Sequence, residues 1–214
     1  MRAVPLVYLV DDDEAVRDSL GFLFRSVGLD SVVFGSALAF LESYDPARHA
    51  CLVADIRMPG MSGLELQERL NERRATIPII FITGHGDVPM AVNAMKSGAA
   101  DFIQKPFRDQ ELIDRIHKAL ESDKVNRERR AESNKILARI ALLTPRENEV
   151  MQRVVKGQAN KVIAMDLGVS QRTVELHRAR VMRKLKMRSL AELVHAIDGV
   201  AAMQANASDT ESRR

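Results

Sequence analysis

Five short apolar runs recur through the first 121 residues, and each is followed by a stretch whose apolar residues fall at helical spacing. That alternation restricts the possible folds more than any other feature of the chain. The runs are Leu6–Val10, Ser31–Phe34, the Cys51–Ala54 stretch that meets Asp55, Ile77–Ile82 and Ala100–Gln104. All five read as strands, and the run that meets Asp55, too short for a helix, reads as a buried parallel strand. Between them, Val16, Leu20, Leu23, Phe24 and Val27 mark a first helix and Ala37–Ser43 a second. Leu64, Leu66 and Leu70 mark a third helix from about Ser62, and Val88–Ser97 a fourth. Leu112, Ile113, Ile116 and Leu120 mark a fifth from Asp109. Strand and helix in strict alternation predict an α/β, doubly wound domain with a parallel sheet.

In such a sheet, ligand chemistry gathers outside the carboxyl ends of the strands. The first strand ends in Asp11 and Asp12, the third in Asp55, the fourth in Thr83 and the fifth in Lys105. Each residue alone has a plain explanation. Asp55 could cap a helix, Asp11–Asp13 could be a solvated helix N-terminus, Thr83 a turn residue and Lys105 a surface charge. Together at successive strand ends they describe a site. Clustered carboxylates repel, and a hard divalent cation with oxygen ligands and open water positions, Mg²⁺, relieves the repulsion. The cation lowers the charge barrier to an incoming phosphoryl group, whose oxygens a hydroxyl and an ammonium would bind. Asp55 is then the nucleophile that becomes an aspartyl phosphate, Lys105 a counter-ion and Thr83 a sensor ligand.

The residues that carry this pattern also resemble a family. Val10-Asp11-Asp12, Asp55-Ile-Arg-Met-Pro-Gly-Met-Ser-Gly63, Thr83-Gly-His-Gly-Asp-Val-Pro-Met90, Gly98-Ala-Ala-Asp-Phe102 and Lys105-Pro106-Phe107 are similar to the receiver domain of two-component response regulators. The fourth-strand motif resembles the FixJ-like subgroup. The resemblance implies a CheY-like receiver that takes its phosphoryl group from a histidine on a sensor histidine kinase. It implies Mg²⁺ held by Asp11 or Asp12, Asp55 and the backbone carbonyl of Arg57, and a cis peptide before Pro106. It implies that Thr83 and Phe102 switch on phosphorylation and reshape a face carrying Val92, Met95, Lys96 and Asp101, which then forms a homodimer. Ala54 departs from the family, where a larger apolar residue often precedes the phosphoacceptor.

The second half is chemically different. Residues 1–121 hold 13 Lys+Arg against 18 Asp+Glu, a balance of −5, while residues 122–214 hold 19 against 11, a balance of +8. An acidic half joined to a basic half predicts two domains, the basic one facing a polyanion. Between them, Lys124–Ser133 is almost entirely polar with good helix formers and no Pro or Gly. It reads either as a helix crossing solvent or as a flexible tether. Thr144-Pro145-Arg-Glu147 then opens a helix with an N-cap, a proline at the first position and an acid at the third. That helix runs to about Lys156, a short helix spans Asn160–Leu167, and Ser170 caps another that reaches about Lys186. Ser189 caps a last one to about Ile197. Two helices joined by Gly168-Val-Ser170 make a helix-turn-helix.

On its second helix, Val174, Val181, Met182 and Leu185 form one apolar stripe. Arg172, Glu175, Leu176, Ala179 and Arg183 lie opposite, flanked by His177, Arg180 and Lys184. Cationic flanks suit phosphate contact, while Glu175 and Leu176 could read base edges. Candidate DNA contacts are Lys161, Arg172, Thr173, Glu175, Leu176, His177, Arg180 and Arg183, within the Asn160–Ala179 motif. Leu143-Thr-Pro-Arg-Glu147, Asn160-Lys-Val-Ile-Ala164, Leu167-Gly-Val-Ser170 and Thr173-Val-Glu-Leu-His-Arg178 resemble the LuxR-type (NarL/FixJ) DNA-binding domain. The resemblance implies a dimeric transcription regulator that binds promoter DNA and works with RNA polymerase. Ala159 stands where that family often has Ser, so the short helix needs some other cap.

The expected organisation is a receiver at 1–121, a helical linker at 122–140, a small all-α helix-turn-helix domain at 141–200 and a disordered polar tail at 201–214. The expected function is a cytoplasmic response regulator rather than an enzyme, one that assists its own phosphotransfer and dephosphorylation. Two competing functions are disfavoured. An Asp-nucleophile phosphatase needs a second acid to activate water, yet Arg57 holds the near position. A small-molecule-sensing regulator does not require the acid, hydroxyl and ammonium set. One cysteine, Cys51, excludes an internal disulfide framework, and the five histidines lack metal-ligand spacing. No apolar run approaches the length of a membrane span, and no charged-then-apolar leader pattern opens the chain.

Overall fold

The structure is a computed structural model, and it describes residues 4–84 and 88–208, with side chains through Met203. The chain divides into two compact units, Met1–Arg127 and Glu128–Arg214. In the first, β1 (Leu6–Val10), β2 (Asp30–Phe34), β3 (Ala50–Asp55), β4 (Ile79–Thr83) and β5 (Asp101–Gln104) pair in the order β2-β1-β3-β4-β5, every pair parallel. The helices α1 (Glu14–Ser26), α2 (Ala37–Ser43), α3 (Gly63–Glu72) and α4 (Val88–Lys96) connect successive strands, and α5 (Asp109–Ile140) follows the last. The order reverses between β1 and β3, which places the switch point at Asp11 and Asp55.

Strand periodicity of two splits the core into two layers. Tyr8, Val10, Leu52, Ala54 and Phe81 pack on the face shared with Phe40, Leu66, Leu70 and Ala94. Val7, Leu9, Val53, Ile80 and Ile82 pack on the other, with Leu20, Phe24, Leu112 and Ile116. Every residue of β1, β3 and β4 is buried, which is why these runs are continuously apolar. The fourth strand begins at Ile79 rather than Ile77. Pro78 has no N–H to offer a ladder, although its carbonyl accepts from Leu52 N–H at 2.9 Å. The residues His85, Gly86 and Asp87 of the motif that starts at Thr83 lie outside the described residues.

The fifth helix is unbroken from Asp109 to Ile140, so the polar stretch between the expected domains is helical. Its first part belongs to the first unit beyond residue 121. Asp123 is buried, accepts Ala50 N–H at 3.2 Å and pairs with Arg127 Nε at 2.6 Å. Arg127 also donates to the carbonyls of Pro46 and Ala47 at 3.0 Å each, and to that of Arg48. These long-range partners are invisible to local periodicity, so the helix reads as linker from residue 122.

The second unit contains α6 (Pro145–Val155), α7 (Asn160–Leu167), α8 (Gln171–Leu185) and α9 (Leu190–Ser208). Val150, Met151, Val154, Ile163, Val174, Val181, Leu185 and Leu193 form its core. Thr144 and Glu147 make the expected capping box with Pro145 in the first turn. Ala159 caps α7 without a side-chain hydrogen bond. Gly168 closes α7 in the left-handed region at φ 64°, the conformation the turn between the two helices requires. One expectation is corrected here. The final helix passes Ile197 and continues to Ser208, into the stretch from 201 read as a disordered tail. Ala201, Ala202, Ala205 and Ala207 are strong helix formers, and their propensity outweighs the polar composition. Residues 209–214 lie outside the described residues. Among the described residues no helix is long and apolar enough to cross a membrane.

Candidate functional site

The carboxyl edge of the sheet sorts the three consecutive acids by role. Asp13 is the N-cap of α1, its Oδ1 accepting Ala15 N–H at 2.9 Å and Val16 N–H at 3.4 Å. Asp12 is exposed. Asp11 is 1% exposed, and its Oδ1 accepts Asp13 N–H at 3.0 Å. Arg17, one turn into α1, donates to the backbone carbonyls of Asp11 at 2.8 Å and Asp12 at 2.9 Å and so fixes the acidic loop. Sequence reading missed Arg17; its place four residues after the capping Asp13 is the one signal that could have found it.

Asp55 ends β3 and is 7% exposed. Its Oδ2 accepts Arg57 N–H at 2.6 Å. The loop after it doubles back tightly: Gly63 N–H donates to Ile56 O at 2.8 Å. A Cβ on Gly63 would stand 2.3 Å from the Asp55 carbonyl oxygen, so only glycine fits there. Lys105 follows β5, joined to Pro106 by a cis peptide bond. Its ammonium lies 3.1 Å from Asp11 Oδ2 and 3.2 Å from Asp55 Oδ1 and bridges the two carboxylates. The backbone carbonyl of Thr83 accepts from Lys105 N–H at 2.8 Å, and the threonine is 1% exposed at the end of β4. Asp55 pairs in register with Ile82, so Thr83 is the next residue along the neighbouring strand. Asp11, Asp55, Thr83 and Lys105 therefore meet at one edge.

Burial pushes the Asp55 carboxyl above its ordinary range. The Arg57 N–H and the Lys105 charge oppose that shift, and Asp11 adds to it. Burial would lower the Lys105 ammonium, but its hydrogen bonds and charge pairing with Asp11 and Asp55 raise it on balance. The lysine therefore stays charged. Among the described residues no three His, Cys, Asp or Glu side chains form a metal-holding group. Asp12 does not join Asp11 and Asp55, in contrast to the expected three-carboxylate cluster. One ammonium offsets two buried carboxylates, and a third would be uncompensated, so Asp12 stays solvated. Two buried carboxylates and a backbone carbonyl at Arg57 remain a hard, all-oxygen donor set of the kind a small divalent cation takes.

Phe102 is partly buried against the core layer that contains Phe81, its register partner. On the face expected to change with it, Val92 is 44% and Met95 45% exposed. Asp101 is already engaged: it pairs with Arg115, which also holds Glu111 at 2.7 Å.

In the second unit, Val174, Val181 and Leu185 are buried, while Arg172, Glu175, Leu176, Ala179, Arg180 and Arg183 are exposed. Lys161 on α7 is exposed as well. Thr173 is committed to the turn, its hydroxyl 2.8 Å from that of Ser170, whose Oγ also accepts Thr173 N–H at 3.1 Å. His177 is half-buried, and its Nδ1 is buried with no hydrogen-bond partner. Lys184, expected to flank the DNA-facing side, is instead drawn inward. Its ammonium is 2.6 Å from Glu147 Oε2 and donates to Leu142 O at 3.1 Å.

With this geometry in place, comparison with known proteins is decisive. Residues 7–117 match the response regulator receiver domain, and residues 141–197 match the luxR family of bacterial regulatory proteins. The chain is a two-component response regulator. The transcriptional regulatory protein FixJ of Azorhizobium caulinodans is 51% identical over 189 residues, 88% of this chain and 89% of that protein. Nodulation protein W of Bradyrhizobium diazoefficiens is 49% identical over 88% of this chain and 83% of its own length. Among solved structures, the response regulator StyR superposes with a TM-score of 0.78 at 47% identity, covering 92% of this chain and 99% of that one. Full-length FixJ from B. japonicum gives 0.57 at 42% identity, covering 94% and 98%. This response regulator thus joins a CheY-like receiver to a LuxR-type DNA-binding domain and regulates transcription. A kinase partner and promoter DNA follow from that pairing of domains.

Proposed function

We propose that the response regulator accepts a phosphoryl group on Asp55 from a histidine of a sensor kinase, and that this modification drives dimerisation and promoter binding. The observation that carries the reading is the shared ammonium of Lys105, 3.1 Å from Asp11 and 3.2 Å from Asp55. It gathers a nucleophile, a second acid and a fixed positive charge at a switch point of the sheet. A carboxylate oxygen of Asp55 forms the new P–O bond as the P–N bond to the donor imidazole breaks. Lys105 offsets negative charge on the phosphoryl oxygens, and the Thr83 hydroxyl binds one of them. Asp11, Asp55 and the Arg57 carbonyl would hold Mg²⁺, with Asp12 contributing through water. The ion, when bound, neutralises charge on the transferring group.

Thr83 and Phe102 then relay the change to the face with Val92, Met95, Lys96 and Asp101, where two copies meet. The receiver also assists hydrolysis of its own aspartyl phosphate. Arg172, Glu175, Leu176, Ala179 and Arg183 on α8 face the DNA, with Lys161, Thr173, His177 and Arg180 at the margins, and the bound dimer engages RNA polymerase. Such a regulator works in the cytoplasm, where its DNA is. The test is phosphate incorporation from a small phosphodonor with Mg²⁺, read by intact mass. Labelling of the wild type and none of Asp55→Asn supports the reading, and retained labelling of the variant overturns it. Light scattering on the phosphorylated chain tests the dimer, and unchanged mass over a wide concentration range counts against it.

A further inference from the structure

Two of the cations on α8 do not face outward, and their partners lie on two different helices. At 3.6 residues per turn, Val174, Val181 and Leu185 share one narrow stripe, all buried. Arg178 sits roughly 40° to one side of Val174 and Lys184 roughly 80° to the other, by the same geometry. Arg178 Nη1 donates to Asn160 Oδ1 at 2.6 Å, at the start of α7. Lys184 Nζ donates to Glu147 Oε2 at 2.6 Å, at the start of α6. The two anchors straddle the apolar stripe, so rolling α8 in either direction about its axis breaks one of them.

Apolar packing alone does not fix the roll this closely, because dispersion contacts are non-directional and tolerate small rotations. A charged hydrogen bond has a preferred direction. Glu147 is itself held from a second side. It is 3% exposed, and the same Oε2 accepts Thr144 N–H at 2.9 Å in the capping box. Lys184 is further tied to Leu142 O. The chain of bonds from the α6 N-terminus to α8 is continuous, and it ends on the side of α8 opposite Glu175.

We propose that Glu147 is a positioning residue for DNA recognition: acting through Lys184, with Asn160 acting through Arg178 on the opposite flank, it sets the roll of α8 and so which side chains meet the base edges. Lys184 and Arg178 then contribute to specificity without contacting phosphate. The proposal rests on α8 being the DNA-contacting helix.

The full-length chain tests it, with a duplex selected from a random pool by the wild type and an unrelated duplex of equal length. Affinity for each is measured by anisotropy across a salt series, with a thermal melt to establish the folded fraction. Lys184→Met is expected to lower the ratio of selected to unrelated affinity at least tenfold, while the slope of log affinity against log salt stays at the wild-type value. Lys184→Arg, which can keep the ion pair, is expected to restore most of the ratio. A slope shallower by about 0.9 with an unchanged ratio would make Lys184 a phosphate contact and overturn the proposal. An unchanged ratio and slope with a lower melting temperature would make the pair a stabiliser only, and also overturns it.

If Lys184→Met does not fold, Asn160→Ala breaks the other anchor, also at a half-buried residue but without leaving a buried carboxylate unpaired, and must lower the ratio by itself. An unchanged ratio there overturns the proposal equally. Arg180→Ala separates this test from the helix assignment. It should make the slope shallower by about 0.9 on both duplexes. If it changes nothing, α8 is not the contacting helix.

Discussion

Both units hold an acid against a lysine, yet the two acids are driven in opposite directions. In the receiver, Asp55 is raised because burial outweighs the help it receives, and its lysine is shared with Asp11. In the DNA-binding unit, Glu147 is lowered to about 2, first by its hydrogen bond with Lys184 and then by Thr144 N–H. The second lysine serves one carboxylate, Glu147, and donates otherwise to the Leu142 carbonyl. An acid whose lysine is shared with a second carboxylate can still take a new partner. An acid whose hydrogen bonds outweigh its burial holds structure in place. Each acid has one lysine and one backbone N–H, so the difference lies in what opposes them: at Asp55 burial is the largest influence and the neighbouring Asp11 adds to it, whereas at Glu147 the hydrogen bonds outweigh burial.

The largest expected effect would break the comparison outright. Asp55→Asn should lose all phosphate incorporation, whereas Glu147→Gln should incorporate phosphate like the wild type; mass spectrometry of both variants after treatment with a phosphodonor and Mg²⁺ decides. The same pair should differ in stability. An acid whose folded pKa is raised costs stability while ionised, and the cost fades as pH falls through the folded value. Asp55→Asn should therefore melt above the wild type at pH 7, and the gap should close in acid.

A second large effect concerns the backbone that carries Asp55. Gly63→Ala places a methyl 2.3 Å from the Asp55 carbonyl oxygen and should cost about 3 kcal/mol of receiver stability, seen as a lower urea midpoint. Wild-type stability would mean that the loop yields easily, and that Asp55 is less firmly placed than its neighbours indicate.

The acid limb sharpens the contrast. Glu147 has a folded pKa of about 2 against an ordinary 4.5, so its stabilisation is complete above 4.5 and is lost as pH falls toward 2. Protection against amide exchange in residues 141–203, taken relative to the intrinsic rate at each pH, should fall over that window, and Glu147→Gln should flatten the dependence. If both proteins lose protection in parallel, other acids dominate. The smallest effect is Thr144→Ala, which removes the cap that Glu147 N–H uses at 3.3 Å. It should cost about 1 kcal/mol by thermal melt of the DNA-binding unit, with the receiver transition unmoved.

Much of this was legible in the chain. The three central strands show as continuous apolar runs because both of their faces are covered, whereas β2 is half open to solvent with Val32 41% and Val33 45% exposed, and residues at strand ends are found by counting. The capping signals at Ser62 and Thr144 are local and chemically specific, and each gives the helix start observed. Receiver site residues were legible as types at positions, but their division of labour was not. Asp11, Asp12 and Asp13 are alike on paper, while one is buried, one solvated and one a helix cap. Likewise, Lys184 looked like a surface cation on a basic helix.

What the sequence determined by itself is therefore whatever depends on short range: periodicity, caps, turns, and the order of strands and helices. The tertiary structure decided which charge meets which. The ammonium of Lys105 joins Asp11 and Asp55 across 94 and 50 residues, and Lys184 reaches Glu147 across 37. Such pairings are set by where whole elements come to rest, and electrostatic energy depends on that final distance and burial rather than on separation along the chain.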